Sequence, residues 1–138
     1  MDDLTTAKQR LKEKELSLVF VRDSKVIFET NVEGLRGFVQ AIETLSDSLA
    51  KSSIADRIVG KAAALLCAYC RAKTVFASTM SQSGLKTLET HRIPSEFESL
   101  VPTILNRKKT DRCPFEKLVE NTTNPKEAYD KIRKSCRV

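Results

Sequence analysis

The stretch Ser53-Ile54-Ala55-Asp56-Arg57-Ile58-Val59-Gly60-Lys61-Ala62-Ala63-Ala64-Leu65-Leu66-Cys67-Ala68-Tyr69-Cys70 decides the fold. Ile58, Ala62, Leu65, Leu66 and Tyr69 recur at helical spacing, and Val59, Ala63, Ala64 and Ala68 fill the other faces. The pattern predicts one helix over 53–70, covered on several sides because it is apolar all round. Ser53 with Asp56 approximates a capping box at its start. Its charges, Asp56, Arg57 and Lys61, crowd the first half. The expectation is a buried central helix whose polar end opens at a surface. Unpaired N–H groups and the helix dipole favour anions there. Gly60 in mid-helix costs about 0.5–1 kcal/mol against alanine; close approach of a strand or loop backbone would explain it.

Around this segment the chain alternates. Leu4–Lys14 reads as a short amphipathic helix, with Leu4, Ala7 and Leu11 on one face. Leu16–Val21 and Val26–Thr30 read as a hairpin turned at Arg22-Asp23-Ser24-Lys25. Leu35, Phe38, Val39, Ile42 and Leu45 mark an amphipathic helix over Gly34–Leu49. Beyond Cys70, Thr74–Ser78 is a strand, Ser81–His91 a helix broken by Ile93-Pro94, and Ser95–Glu98 a short strand. Pro114 and Pro125 open two further helices, the last strongly charged and running to Cys136. Strand, helix, strand, helix, strand implies a mostly parallel arrangement with right-handed crossovers.

A chain of 138 residues suits one domain. At this size roughly two-thirds of the unfolded surface can be buried, enough for a core without metal or disulfide staples. No apolar run reaches the roughly 20 residues of a membrane span. The polar, acidic start Met1-Asp2-Asp3-Leu4 is not a secretory signal, so a cytoplasmic location is expected. Lys and Arg number 24 against 18 Asp and Glu, a net charge of +6 that permits nucleic-acid contact without demanding it. The excess gathers at Arg107-Lys108-Lys109 with Arg112, and at Lys131, Arg133, Lys134 and Arg137. Aromatic residues are sparse and tryptophan is absent, which argues against base-stacking platforms and nucleic acid.

The four cysteines, Cys67, Cys70, Cys113 and Cys136, are expected as reduced thiols. Cys67 and Cys70 form a C-x-x-C at a helix C-terminus, the wrong end for a low-pKa thiol. With no second C-x-x-C and a single histidine, His91, the four ligands of structural zinc are lacking. Cys113 lies ahead of a helix start near Arg112 and Lys117. A lowered pKa there would suit a nucleophile or redox sensor; packing beside Pro114 is the plainer reading.

The order of elements resembles the cytidine-deaminase-like fold. The nearer resemblance is to a small uncharacterised family of that fold, a domain of unknown function. It rests on Ala55-Asp56-Arg57-Ile58-Val59-Gly60-Lys61-Ala62-Ala63-Ala64, on Ile93-Pro94, Leu100-Val101-Pro102 and Asn106-Arg107, and on Cys113-Pro114-Phe115-Glu116-Lys117-Leu118. It covers roughly Leu4–Val119, with the helix over 124–138 outside it. The resemblance implies a three-layer α-β-α sandwich with a mixed sheet and a buried central helix.

Zinc deaminases carry His-x-Glu or Cys-x-Glu at the start of the central helix and Pro-Cys-x-x-Cys at the next, three zinc ligands and a proton-shuttling glutamate. This chain has Gly60-Lys61-Ala62 and then Cys113-Pro114-Phe115-Glu116, so no zinc site and no cofactor are expected. What remains is a pocket in the same place, made of Asp56, Lys61, Asn106, Arg107, Cys113 and Glu116. Lys61 and Arg107 would suit a phosphate or carboxylate. The expected role is a non-catalytic binding module for a small anionic or nucleotide-like ligand. The other readings are a thiol-dependent enzyme or sensor at Cys113 and a structural protein acting as a homo-oligomer. An internal ion-pair network, Asp56 or Glu116 with Lys61 or Arg107, would equally account for these side chains.

Overall fold

In a computed structural model that describes residues 1–136, Asp2 caps the first helix, α1 (Asp3–Glu13), by accepting the Thr5 N–H at 2.7 Å. Arg137, counted above in the basic excess, lies outside the described residues. The hairpin follows as β1 (Leu18–Arg22) and β2 (Lys25–Thr30). Asp23 and Ser24 take left-handed backbone at its tip, as a tight hairpin turn requires. Next comes α2 (Leu35–Leu45), which buries Phe38, Val39 and Ile42. It ends at Ser46, where φ of 45° turns the chain into the 3₁₀ segment Ser46–Leu49 instead of continuing the helix to Leu49.

The segment 53–70 is not one helix. Ser53–Val59 is strand β3, Gly60 is the joint, and only Lys61–Tyr69 is helix α3. Ser53 and Asp56 therefore cap nothing; the Ser53 hydroxyl accepts from Thr74 Oγ1 at 2.9 Å. The physical reason lies in β3's position. It runs antiparallel to β1 and parallel to β4, so Ile54 and Ala55 are buried on opposite faces. A strand covered on both sides reads as a continuous apolar run, which spacing alone cannot distinguish from buried helix. The second half does meet the expectation: Ala62 to Cys67 are all buried.

The remaining elements are β4 (Thr74–Ser81), α4 (Gln82–Thr90), β5 (Ser95–Val101), α5 (Pro114–Leu118) and α6 (Pro125–Ser135). The sheet order is β2-β1-β3-β4-β5. β3, β4 and β5 are parallel, and β1 is antiparallel to both its neighbours. α1 covers one face, setting Ala7 and Leu11 against Val19, Val21, Ala55 and Phe76. The other face carries the larger core, from Phe20, Ile54 and Val75 through α3 to Leu88 and Ile132. The result is helix, mixed sheet, helices, in three layers. α6 closes the core over α3 by burying Ala128 and Ile132 and stacking Tyr129 on Tyr69, ring centroids 4.6 Å apart. No helix among the described residues is long and apolar enough to cross a membrane.

Candidate functional site

The C-terminal ends of parallel strands are where helix starts and loops gather. Here that end holds the Gly60 joint, the Ser81 turn into α4, and the chain that leaves β5. The loop after β5 bridges back on itself, Leu105 pairing with Arg112. It lays Ile104 against Gly60 and delivers Cys113 as the residue preceding α5.

Glu116 is the centre of the arrangement. It is only 9 % exposed, and its carboxylate lies across the first turn of α3. Lys61 N–H donates to Oε1 at 2.7 Å and Ala62 N–H donates to Oε2 at 2.8 Å. These are two of the four amide donors that a helix start leaves without an internal partner. A carboxylate there is favoured by the hydrogen bonds and by the positive end of the helix dipole. The amides at the head of α3 hold a carboxylate, and it belongs to the chain's own side chain.

Gly60 follows from the same contact. A Cβ on residue 60 would run into Glu116 Oε1, sit 2.6 Å from Glu116 Cδ and 2.9 Å from Ile104 Cγ1. The close approach comes from a carboxylate and an isoleucine, not from the backbone of a strand or loop. Gly84 repeats the theme on the other side: its Cβ would lie 2.7 Å from the Val59 carbonyl oxygen. The buried Ser81 hydroxyl caps α4 by accepting the Gly84 N–H at 3.0 Å.

The other expected site residues divide. Lys61 is present, but its ammonium donates to the Glu120 carbonyl at 2.8 Å and not to Glu116. Asn106 closes its own loop: Oδ1 accepts from Thr110 N at 3.0 Å and Nδ2 donates to Thr110 Oγ1 at 3.2 Å. Arg107 points outward, 86 % exposed, and pairs with Glu33 at 3.3 Å. Cys113 is half-buried; its N–H donates to Ile104 O, and its carbonyl accepts the N–H groups of Glu116 and Lys117. Asp56 stands mid-strand, its Oδ1 3.4 Å from the Ile58 nitrogen. Burial pushes its pKa up to about 7, against the pull of the Ile58 and Arg57 N–H groups. The internal ion-pair network is thus not formed among these residues: Glu116 is satisfied by backbone N–H groups, and among the described residues Asp56 has no salt-bridge partner.

Several partners were not legible as site residues. Glu120 contributes its carbonyl to Lys61 and its carboxylate to Arg112, 3.1 Å away. Asp111 pairs with Lys117, which holds its carboxyl below the usual range together with the Arg112 N–H. These contacts pin the loop to α5. The buried thiols Cys67 and Cys70 have pKa values raised by burial, that of Cys70 to about 12, as fits inert packing. Among the described residues no group of three His, Cys, Asp or Glu side chains could hold a metal ion. The head of α3 offers Gly60, Lys61 and Ala62, none of which carries a zinc-ligating side chain.

Two clefts, of about 360 and 250 Å³, open elsewhere. The larger is lined by Ser53, Thr74 and Ser95, the first residues of β3, β4 and β5, with Asp2, Asp3, Lys73 and Glu96. The smaller lies where α3 and α4 end. Both are at the opposite end of the sheet from Glu116.

Comparison with known proteins places the chain among its relatives. The model of the TM1506 family, a domain of unknown function (DUF1893), matches residues 6–135, which takes in α6. No curated protein matches. The crystal structure of a DUF1893 family protein (TM1506) from Thermotoga maritima is similar at 28 % identity and a TM-score of 0.88. The match covers 96 % of this chain and 89 % of that one. The chain belongs to the DUF1893 family.

Proposed function

We propose that this chain is a non-catalytic binding module with a cytidine-deaminase-like architecture, and that Glu116 guards its binding site. A small anionic or nucleotide-like ligand enters by replacing the Glu116 carboxylate on the Lys61 and Ala62 N–H groups. Lys61 and the basic loop bearing Asn106 and Arg107 then supply the rim. One observation carries this reading: both oxygens of a buried carboxylate accept from the first two amides of α3. A site that holds a carboxylate in that geometry has the donors to hold another oxyanion.

Magnitudes set the terms of the exchange. Hydrogen bonds to a charged acceptor contribute about 1.5–3 kcal/mol each, so two such bonds hold Glu116 in place. A ligand with one negative charge and no further contacts merely exchanges like for like. A phosphate, with roughly two charges near neutral pH and more acceptor oxygens, gains the Lys61 ammonium as well.

Titration with a nucleoside monophosphate, followed through the backbone amide resonances of Lys61 and Ala62, tests this. Glu116→Ala is expected to tighten binding at those amides by about tenfold or more, and Lys61→Ala to weaken it. Glu116→Gln keeps the packing volume and is expected to lie between wild type and Glu116→Ala. Amide shifts at Lys61 and Ala62 that stay unmoved by ligand in Glu116→Ala would refute the reading.

A further inference from the structure

We infer that the cleft between the ends of α3 and α4 is a phosphate-binding site, built from Arg71, His91 and Arg92 at the opposite end of the molecule from Glu116. The cleft of about 250 Å³ is lined by Ala68, Arg71, Ala72, His91, Arg92 and Ile93. Two arginines and the chain's single histidine line it, and no Asp or Glu residue does.

The two arginines arrive there by the same backbone device. After α3 the N–H groups of Arg71 and Ala72 donate to Ala68 O and Cys67 O. After α4 those of Arg92 and Ile93 donate to Glu89 O and Leu88 O. In each turn the arginine sits in left-handed backbone, φ 57° at Arg71 and 60° at Arg92. Glycine is the usual occupant of that position because it bears no Cβ penalty. α1 ends in a similar turn with Glu15 there, so the turn itself is general in this chain. What sets the other two apart is that both direct a cation to one cleft.

The cations are available. The Arg92 side chain makes no hydrogen bond or ion pair among the described residues. Arg71 meets only Asp47, at 3.5 Å and fully exposed, an ion pair of the kind that contributes little. The C-terminal ends of two helices would repel an anion if their carbonyls were bare. Here Cys67 O, Ala68 O, Leu88 O and Glu89 O are each already taken by the turns.

Of the three donor-bearing residues that line the cleft, two carry planar guanidinium forks, which suit an oxyanion with three free oxygens better than a carboxylate with two. Two permanent positive charges match a dianion. Ala68, Ala72 and Ile93 leave an apolar wall, and the volume is below that of a drug-sized pocket. The ligand class is therefore a small phosphate monoester or inorganic phosphate.

Calorimetric titration of the full chain with inorganic phosphate, glycerol phosphate and acetate tests the site. Both phosphates are expected to bind and acetate to bind more weakly by about tenfold. Arg92→Gly removes the guanidinium while relaxing the left-handed residue. It is expected to melt at or above the wild-type temperature and to lose phosphate affinity by about tenfold or more. Lys86→Ala, an exposed lysine of α4 outside the cleft, removes the same charge and is expected to change affinity by less than about twofold. Phosphate binding that falls equally in Lys86→Ala and Arg92→Gly is non-specific attraction and overturns the proposal. So does binding that falls in Lys61→Ala but not in Arg92→Gly, which locates it at the Glu116 end. Absence of any heat or stabilisation at about 10 mM phosphate overturns it too.

Discussion

At the scale of single residues, the head of α3 depends on a glycine and a carboxylate that require each other. Gly60 leaves the space into which Glu116 reaches, and Glu116 supplies the acceptors that the Lys61 and Ala62 amides need. Asp56, four residues earlier, is the opposite case: a half-buried carboxyl whose pKa burial raises to about 7, with no cation to offset the cost. Folded, it keeps its proton until about pH 7; unfolded, it releases it near the ordinary value of 3.8. Between those limits the native chain binds the extra proton, so this group makes stability fall as pH rises from about 4 to about 7. Asp56→Asn is expected to remove that loss. Urea unfolding at pH 8 should find the variant as stable as wild type or more so, with its relative advantage shrinking towards pH 4. A variant whose disadvantage grows with pH would show that the carboxylate is stabilised in the native state.

At the scale of elements, the amphipathic pieces were legible and the buried ones only partly. α1 and α2 show their period because one face meets water. β3 and α3 run together because the first half of β3 and most of α3 are buried, and the boundary rests on Gly60 alone. In the sequence Gly60 reads as an oddity within a helix; in the fold it is the joint between a strand and a helix. The site was legible in composition and not in pairing. Glu116 meets the Lys61 amide at the head of α3, since Cys113-Pro114 marks the start of α5 and Glu116 falls in its first turn. That the Glu116 carboxylate serves another helix's amides, that Lys61 reaches a carbonyl, and that Arg107 faces away are matters of tertiary geometry. No local pattern encodes them. α6 was read as a charged terminal helix, yet its buried stripe makes it part of the core. Ile132→Ala, which empties a fully buried position under α3, is expected to cost about 2–5 kcal/mol in chemical denaturation. A loss below about 0.5 kcal/mol would mean that α6 is an appendage.

At the scale of the whole molecule, the sheet separates two ends of different character. One end gathers the helix starts, with Glu116 internalised as the counter-charge of α3 and the basic loop above it. The other gathers the ends of α3 and α4, where Arg71 and Arg92 share a cleft. The net charge of +6 is therefore not merely a diffuse surface property. Part of it is arranged around one seat already filled by a carboxylate and one cleft lined by cations. The seat organises the loop from Ile104 to Glu120, since that loop is positioned largely by what Glu116, Glu120 and Cys113 bind. A double-mutant cycle at Gly60 and Glu116, measured by equilibrium denaturation, tests the seat most directly. In wild type, Gly60→Ala should cost roughly 1–3 kcal/mol, because the new methyl group meets the carboxylate. In a Glu116→Ala background most of that cost should vanish, leaving the contact with Ile104, so the two changes should couple by about 1 kcal/mol or more. Losses that simply add would contradict a carboxylate seated at the head of α3.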